Sequence, residues 1–134
     1  GNIKKAKIRS SSDLFEVFKE MYDKDTVEYN ESMIVVFLNN ANNTIGWTRH
    51  TSGGIAQTIV DQRMILAEAL LCGASTVAIS HNHPSGQMVP SREDEKITIK
   101  LNDACKIMGI RFLDHIIVSG ELNEYYSFAD EGKI

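Results

Sequence analysis

Short apolar runs of strand length alternate along this chain with stretches of helical periodicity, and that alternation limits the fold more than any other property of the sequence. Ser10, Ser11 and Ser12 precede Asp13-Leu14-Phe15-Glu16-Val17-Phe18, and Met21 continues an i, i+3, i+4, i+7 stripe from Leu14, which predicts a capped amphipathic first helix. Met33 to Leu38 is continuously apolar and too short for a helical pattern of its own. The run Asn39 to Asn43 breaks it before Thr44 to Thr48, so a hairpin is expected. Gly53-Gly54 marks a further turn, and Ile55 to Val60 alternates as a short strand. Asp61 caps a helix over Gln62 to Cys72, with Met64, Ile65, Leu66, Ala69 and Leu70 as its apolar face and Gly73 as its end. Thr76 to Ser80 is a strand that delivers His81 and His83, and a loop runs from Pro84 to Pro90. Ser91 opens a long helix to about Met108, closed by Gly109. Ile110 to Leu113 and His115 to Val118 are strand material, Ser119-Gly120-Glu121 is a turn, and the tail from Glu124 adds a last short strand. The expected class is α/β, with a mixed sheet flanked by helices on its faces and residues 1–134 as one domain.

Charge and composition narrow the function. The 134 residues are 43% hydrophobic and 24% charged, with a formal net charge of -4. Phosphate-gripping domains show a basic surface, because neutralised phosphates release counterions. The basic cluster Lys4, Lys5, Lys7 and Arg9 reads as a solvated edge or arm, so charge does not support nucleic acid as a partner. No run approaches the roughly 20 apolar residues that span a bilayer, and no charged-then-apolar leader is visible; no membrane partner and a cytoplasmic location are expected. Cys72 and Cys105 belong to no C-x-x-C pattern and read as inert thiols within apolar helical segments.

The chemistry concentrates in His81-Asn82-His83-Pro84-Ser85-Gly86 and Pro90-Ser91-x-x-Asp94. Two histidines two apart on a strand project from the same face, so one ion can be chelated by both. Asp94 follows His83 by eleven residues, in the first turn of the next helix, where a folded-back loop brings its carboxylate to a third position. Two histidines, a carboxylate and an open fourth position make a catalytic zinc pattern. Ser91-x-x-Asp94 is equally a capping box, which explains both residues without metal. Spacing alone leaves these two readings level.

The wider string changes the balance. His-Asn-His-Pro-Ser-Gly, then Pro-Ser-x-x-Asp, then Leu113-Asp114-His115-Ile116-Ile117-Val118 resembles the RadC family, from about Glu31 to the C-terminus. RadC proteins carry the JAMM (MPN-type) metalloprotease domain, with a distant Glu, then His-x-His-Pro, then Ser-x-x-Asp. The resemblance implies a three-layer, cytidine-deaminase-like architecture, a Zn2+ cofactor on His81, His83 and Asp94, and peptidase or isopeptidase chemistry in which metal-bound water attacks an amide carbonyl. It implies a protein or peptide substrate. Glu31, just before Ser32-Met33-Ile34-Val35-Val36, occupies the place of the family's general base, with Glu68 a rival and Glu28 a third choice. Ser91 takes the place of the oxyanion-stabilising serine, a role compatible with capping because a hydroxyl both donates and accepts.

Three other functions compete. A DNA-repair or DNA-processing factor follows from the family's name, but the stretch before the JAMM-like part is too short for the helix-hairpin-helix region many RadC proteins carry. A non-catalytic scaffold conflicts with ligand positions that are all filled. A zinc deaminase needs His-x-Glu and Pro-Cys-x-x-Cys, which this sequence lacks. His115 beside Asp114 reads as a structural histidine or a pair supporting the ligands, His50 as solvent-facing, and Trp47, Tyr125 and Tyr126 as packing residues. Oligomeric state is not readable, although an open sheet edge offers a place for a dimer.

Overall fold

The computed structural model describes residues 1–51 and 61–134. The turn expected at Gly53-Gly54 and the strand expected over residues 55–60 lie outside the described residues.

Helix α1 (Ser11–Met21) starts where Ser10 accepts a hydrogen bond from the Asp13 amide, and it buries Leu14, Phe15, Phe18 and Met21. Strands β1 (Ser32–Leu38) and β2 (Thr44–Thr51) form the expected hairpin, in which Asn39 Oδ1 accepts from the amides of Ala41 and Asn43. Helix α2 (Gln62–Leu71) is capped by Asp61, and strand β3 (Thr76–His83) follows it. Helix α3 (Arg92–Met108) runs from a Ser91–Asp94 capping box to Gly109, whose φ of 69° is the left-handed conformation that ends helices. Strands β4 (Arg111–Ser119) and β5 (Tyr125–Ser127) complete the chain.

The five strands form one mixed sheet in the order β2-β1-β3-β4-β5, with β3 and β4 parallel across α3 and the other pairs antiparallel. β1 and β3 lie at the centre and are buried on both faces. Ile34, Val36, Leu38 and Ala78 face α1 in one core. Met33, Val35, Phe37, Val77 and Ile79 face Ile65 and Ala69 of α2 and Leu101 and Cys105 of α3 in the other. One helix therefore covers one face and two cover the opposite face, giving the expected three layers. Among the described residues no helix is long and apolar enough to cross a membrane.

Several details differ from expectation. α2 buries only Ile65 and Ala69, one turn apart, whereas Met64 and Leu70 are exposed on its flanks. Cys72 is exposed because the helix ends at Leu71 and leaves it as the cap; Cys105 is buried, and burial pushes its thiol up to about 11. β4 is continuous through Asp114, with an irregularity that sets Val77 opposite Phe112 but Ile79 opposite His115. Asp114 is buried because its carboxylate accepts from the amides of His115 and Ala129 and from the Ser127 hydroxyl.

Candidate metal centre

β3 alternates strictly between the two cores, and this alternation places the site. Val77 and Ile79 fix the phase, so His81 continues toward the α2/α3 face at the strand's end, with His83 one step beyond. The capping box that starts α3 aims Asp94 at the same point. Ser91 Oγ accepts from the Asp94 amide at 3.1 Å, and Asp94 Oδ2 accepts from the Ser91 amide at 2.7 Å. The carboxylate is thereby oriented, with Oδ2 also 3.0 Å from His83 Nε2 and Oδ1 2.9 Å from His81 Nδ1. One potential ligand atom from each of His81, His83 and Asp94 lies within 4.8 Å of the others.

The hydrogen bonds assign the imidazole protons. His83 Nδ1 is 2.8 Å from the Gln87 carbonyl, which only accepts, so Nδ1 carries hydrogen and Nε2 is the nitrogen turned to the site. His81 is 9% exposed; its Nδ1 is close to Asp94 Oδ1 but the two do not meet as a hydrogen bond. A buried, unpartnered nitrogen beside a carboxylate oxygen fits donors that converge on a cation. Burial works against charging His81, yet Asp94 and Glu31 outweigh it and raise its pKa to about 9. His83 is raised in the same way, with burial opposed by Asp94. Burial disfavours charge on Asp94 too, but the two histidines hold it far below the usual carboxylate range.

Glu31 sits immediately before β1 with its Oε2 3.8 Å from His81 Nε2. It lines a cavity of about 750 Å³ with His81, His83, Ser91 and Asp94. Glu68 is not part of that lining: its carboxylate accepts from Thr48 at 3.2 Å and lies 3.0 Å from His50 Nε2. His50 is accordingly half-buried over the sheet, not solvent-facing as expected, because α2 brings Glu68 down onto it. Glu28 is exposed, with its backbone packed beneath Gly120.

Two positioning groups have partners the sequence did not indicate. Asn82 points to the face opposite the histidines, fully buried. Its Oδ1 accepts from the Ser32 amide, and its Nδ2 donates to the Val27 and Asn30 carbonyls, each at 2.8 Å. It ties the segment carrying Glu31 to the strand carrying the histidines. His115 meets Asp114 only through its own backbone amide. Its Nδ1 is 2.7 Å from the Thr98 hydroxyl, which itself donates to the Asp94 carbonyl at 2.7 Å. A hydroxyl has one hydrogen, so His115 Nδ1 must donate and Nε2 is bare. Burial first, then the neighbouring His81 charge, lower the His115 pKa to about 3. The ring stacks on Phe128 at 4.6 Å and on His81 at 5.9 Å, measured between centroids. Its neutral side chain backs His81 and braces the first turns of α3. The partners of Asn82 lie some fifty residues away in sequence.

Sequence comparison gives the same framework a lineage. A model of the RadC-like JAB domain matches residues 8–133. A UPF0758 protein of Flavobacterium johnsoniae is 40% identical over 130 residues, covering 97% of this chain and 55% of that protein. One from Actinobacillus pleuropneumoniae is 43% identical over 104 residues, covering 78% and 46%, and one from Aquifex aeolicus is 33% identical over 132 residues, covering 98% and 54%. The chain spans about half the length of these relatives.

Proposed function

The chain belongs to the RadC-like JAB domain family, and from that premise we propose that it is a zinc-dependent hydrolase of JAMM type acting on an amide bond in a protein or peptide. The observation that carries this reading is the convergence of His81, His83 and Asp94 at the floor of a cavity that Glu31 and Ser91 also line. Neutral imidazole nitrogens and a carboxylate are a ligand set suited to zinc. Zinc, when bound, supplies Lewis acidity and lowers the pKa of water to about 7.

The remaining chemistry falls to the chain. Glu31 takes the proton of the attacking water and returns it to the leaving amine. Ser91 Oγ accepts from the Asp94 amide through one lone pair, which leaves its hydrogen free to donate to the oxygen that gains charge. Asp94 holds its orientation through the capping box, and His83 through the Gln87 carbonyl. Elemental analysis of the purified protein, before and after zinc titration, tests the centre. One zinc per chain is expected, and a protein that takes up none sinks the reading. Glu31→Gln is expected to keep zinc while hydrolysis of a responsive substrate falls by about 10²- to 10⁴-fold, the usual worth of a general base.

A further inference from the structure

α3 presents a row of cations to the cavity. Arg92, Lys96 and Lys100 recur at i, i+4 and i+8, share one helix face and line the space that holds the ligand residues. Lys96 stands 3.9 Å from Glu93 in an exposed pair. Arg92 and Lys100 have no ion-pair partner among the described residues, and residues 52–60 contain no acid. The arrangement works against the helix. Like charges one turn apart repel by a few tenths of a kcal/mol, and Arg92 is a cation at the positive end of the helix dipole. Glu93, Asp94 and Glu95 in the same turn obey that dipole, so Arg92 stands out. Local rules broken without internal compensation gather where a ligand supplies the compensation. The same wall carries Ile97 and Val89, the latter 76% exposed.

We propose that this face binds an acidic polypeptide segment in extended form and so defines the substrate class of the hydrolase; the inference rests on that reading of the site. Successive cations on α3 are about 6 Å apart, and side chains on one side of an extended peptide recur about every 6.8 Å. Carboxylates at alternate positions therefore fall in step with Arg92, Lys96 and Lys100. A single-stranded nucleic acid fits less well. Among the described residues the cavity lining holds no Phe, Tyr or Trp on which bases would stack.

The test uses zinc-loaded protein and three fluorescein-labelled probes, read by anisotropy at low and physiological salt: a nonapeptide alternating glutamate with leucine, its lysine counterpart, and a twelve-nucleotide single strand. The acidic peptide is expected to bind more tightly than its lysine counterpart. Arg92→Glu/Lys100→Glu, two exposed positions, is expected to weaken it by about 10-fold, as two lost surface pairs would, with zinc content unchanged and the unfolding midpoint the same or higher, since the repulsion along α3 is relieved. Equal binding of both peptides, or indifference of the double variant, overturns the proposal. An oligonucleotide bound more tightly than the acidic peptide through Arg92 and Lys100 overturns it in favour of nucleic acid. Zinc measured on the same samples separates the two ideas. A zinc-free protein that still prefers the acidic peptide defeats the hydrolase and upholds the surface; a zinc-loaded protein without preference defeats the surface alone.

Discussion

The two faces of β3 carry polar residues of similar kind and treat them in opposite ways. Toward α1, Ser80 and Asn82 are buried and fully engaged: Ser80 Oγ meets the Tyr22 hydroxyl at 2.8 Å, and Asn82 makes its three bonds to the segment before β1. Toward α2 and α3, His81 Nδ1 is buried without a hydrogen-bond partner, as is Nε2 of His115 beside it on β4. Leaving a buried polar atom unpartnered costs about 1–3 kcal/mol, so a fold that satisfies one face and not the other has a reason for the difference. The satisfied face is structural, and the unsatisfied one carries a His-His-Asp group that could hold a metal ion.

That contrast is sharpest under substitution of the ligands. His81→Ala or Asp94→Ala should abolish stoichiometric zinc uptake, measured by elemental analysis, while the circular dichroism of the sheet persists. Asn82→Ala should do the reverse. It leaves one amide and two carbonyls without their partner and is expected to lower stability by about 2–3 kcal/mol in urea unfolding, with zinc still bound. Loss of zinc on removing Asn82 would break the division between the faces.

Protons give a gentler test on zinc-free protein. His81 is raised to about 9 in the fold from 6.5, so its contribution is complete below about pH 6.5 and disappears as pH rises through about 9. His115 is lowered to about 3, so the unfolded chain takes up the proton first and stability falls as pH drops from about 6.5 toward 3. Each limb has a slope of up to about 1.4 kcal/mol per pH unit. Thermal unfolding midpoints across pH should therefore peak near 6.5 without metal. Zinc should remove the alkaline limb, because the ion replaces the proton. A flat profile would detach both rings from the energetics of the site. The smallest effect belongs to the satisfied face: Tyr22→Phe should cost about 1 kcal/mol by chemical denaturation, the worth of one hydrogen bond.

Much of this was legible in the sequence because local rules agree with the global fold. The caps at Ser10, Asp61 and Ser91, the stop at Gly109 and the period of two through Val77, Ile79, His81 and His83 each hold within a few residues. The two readings of Ser91-x-x-Asp94 are compatible in one arrangement, since the capping box also orients the carboxylate toward His81 and His83. The illegible parts depend on long-range approach. Nothing near His50 announces that Glu68 will descend on it from α2. Asp114 broke the strand expected around it because a lone acid there looks like a turn, and only Ser127 and Ala129 make it tolerable inside. Asn82, beside the ligands in sequence, was expected to help shape the pocket, but its side chain turns to the opposite face, where its three partners are far away in sequence.

The span of chain between the ligand residues also sets an order of assembly. His83 and Asp94 are eleven residues apart, whereas Asn82 grips Ser32 across fifty, so closing the second loop costs about 1 kcal/mol more chain entropy. A β3–α3 hairpin can gather its three ligands before β1 arrives, and metal captured then would guide the rest of the chain into place. Refolding should accelerate when zinc is present from the start, and not when Asp94 is replaced. A cation held at that stage has no Glu31 beside it, so under the proposed mechanism reactivity would arrive only when folding is finished.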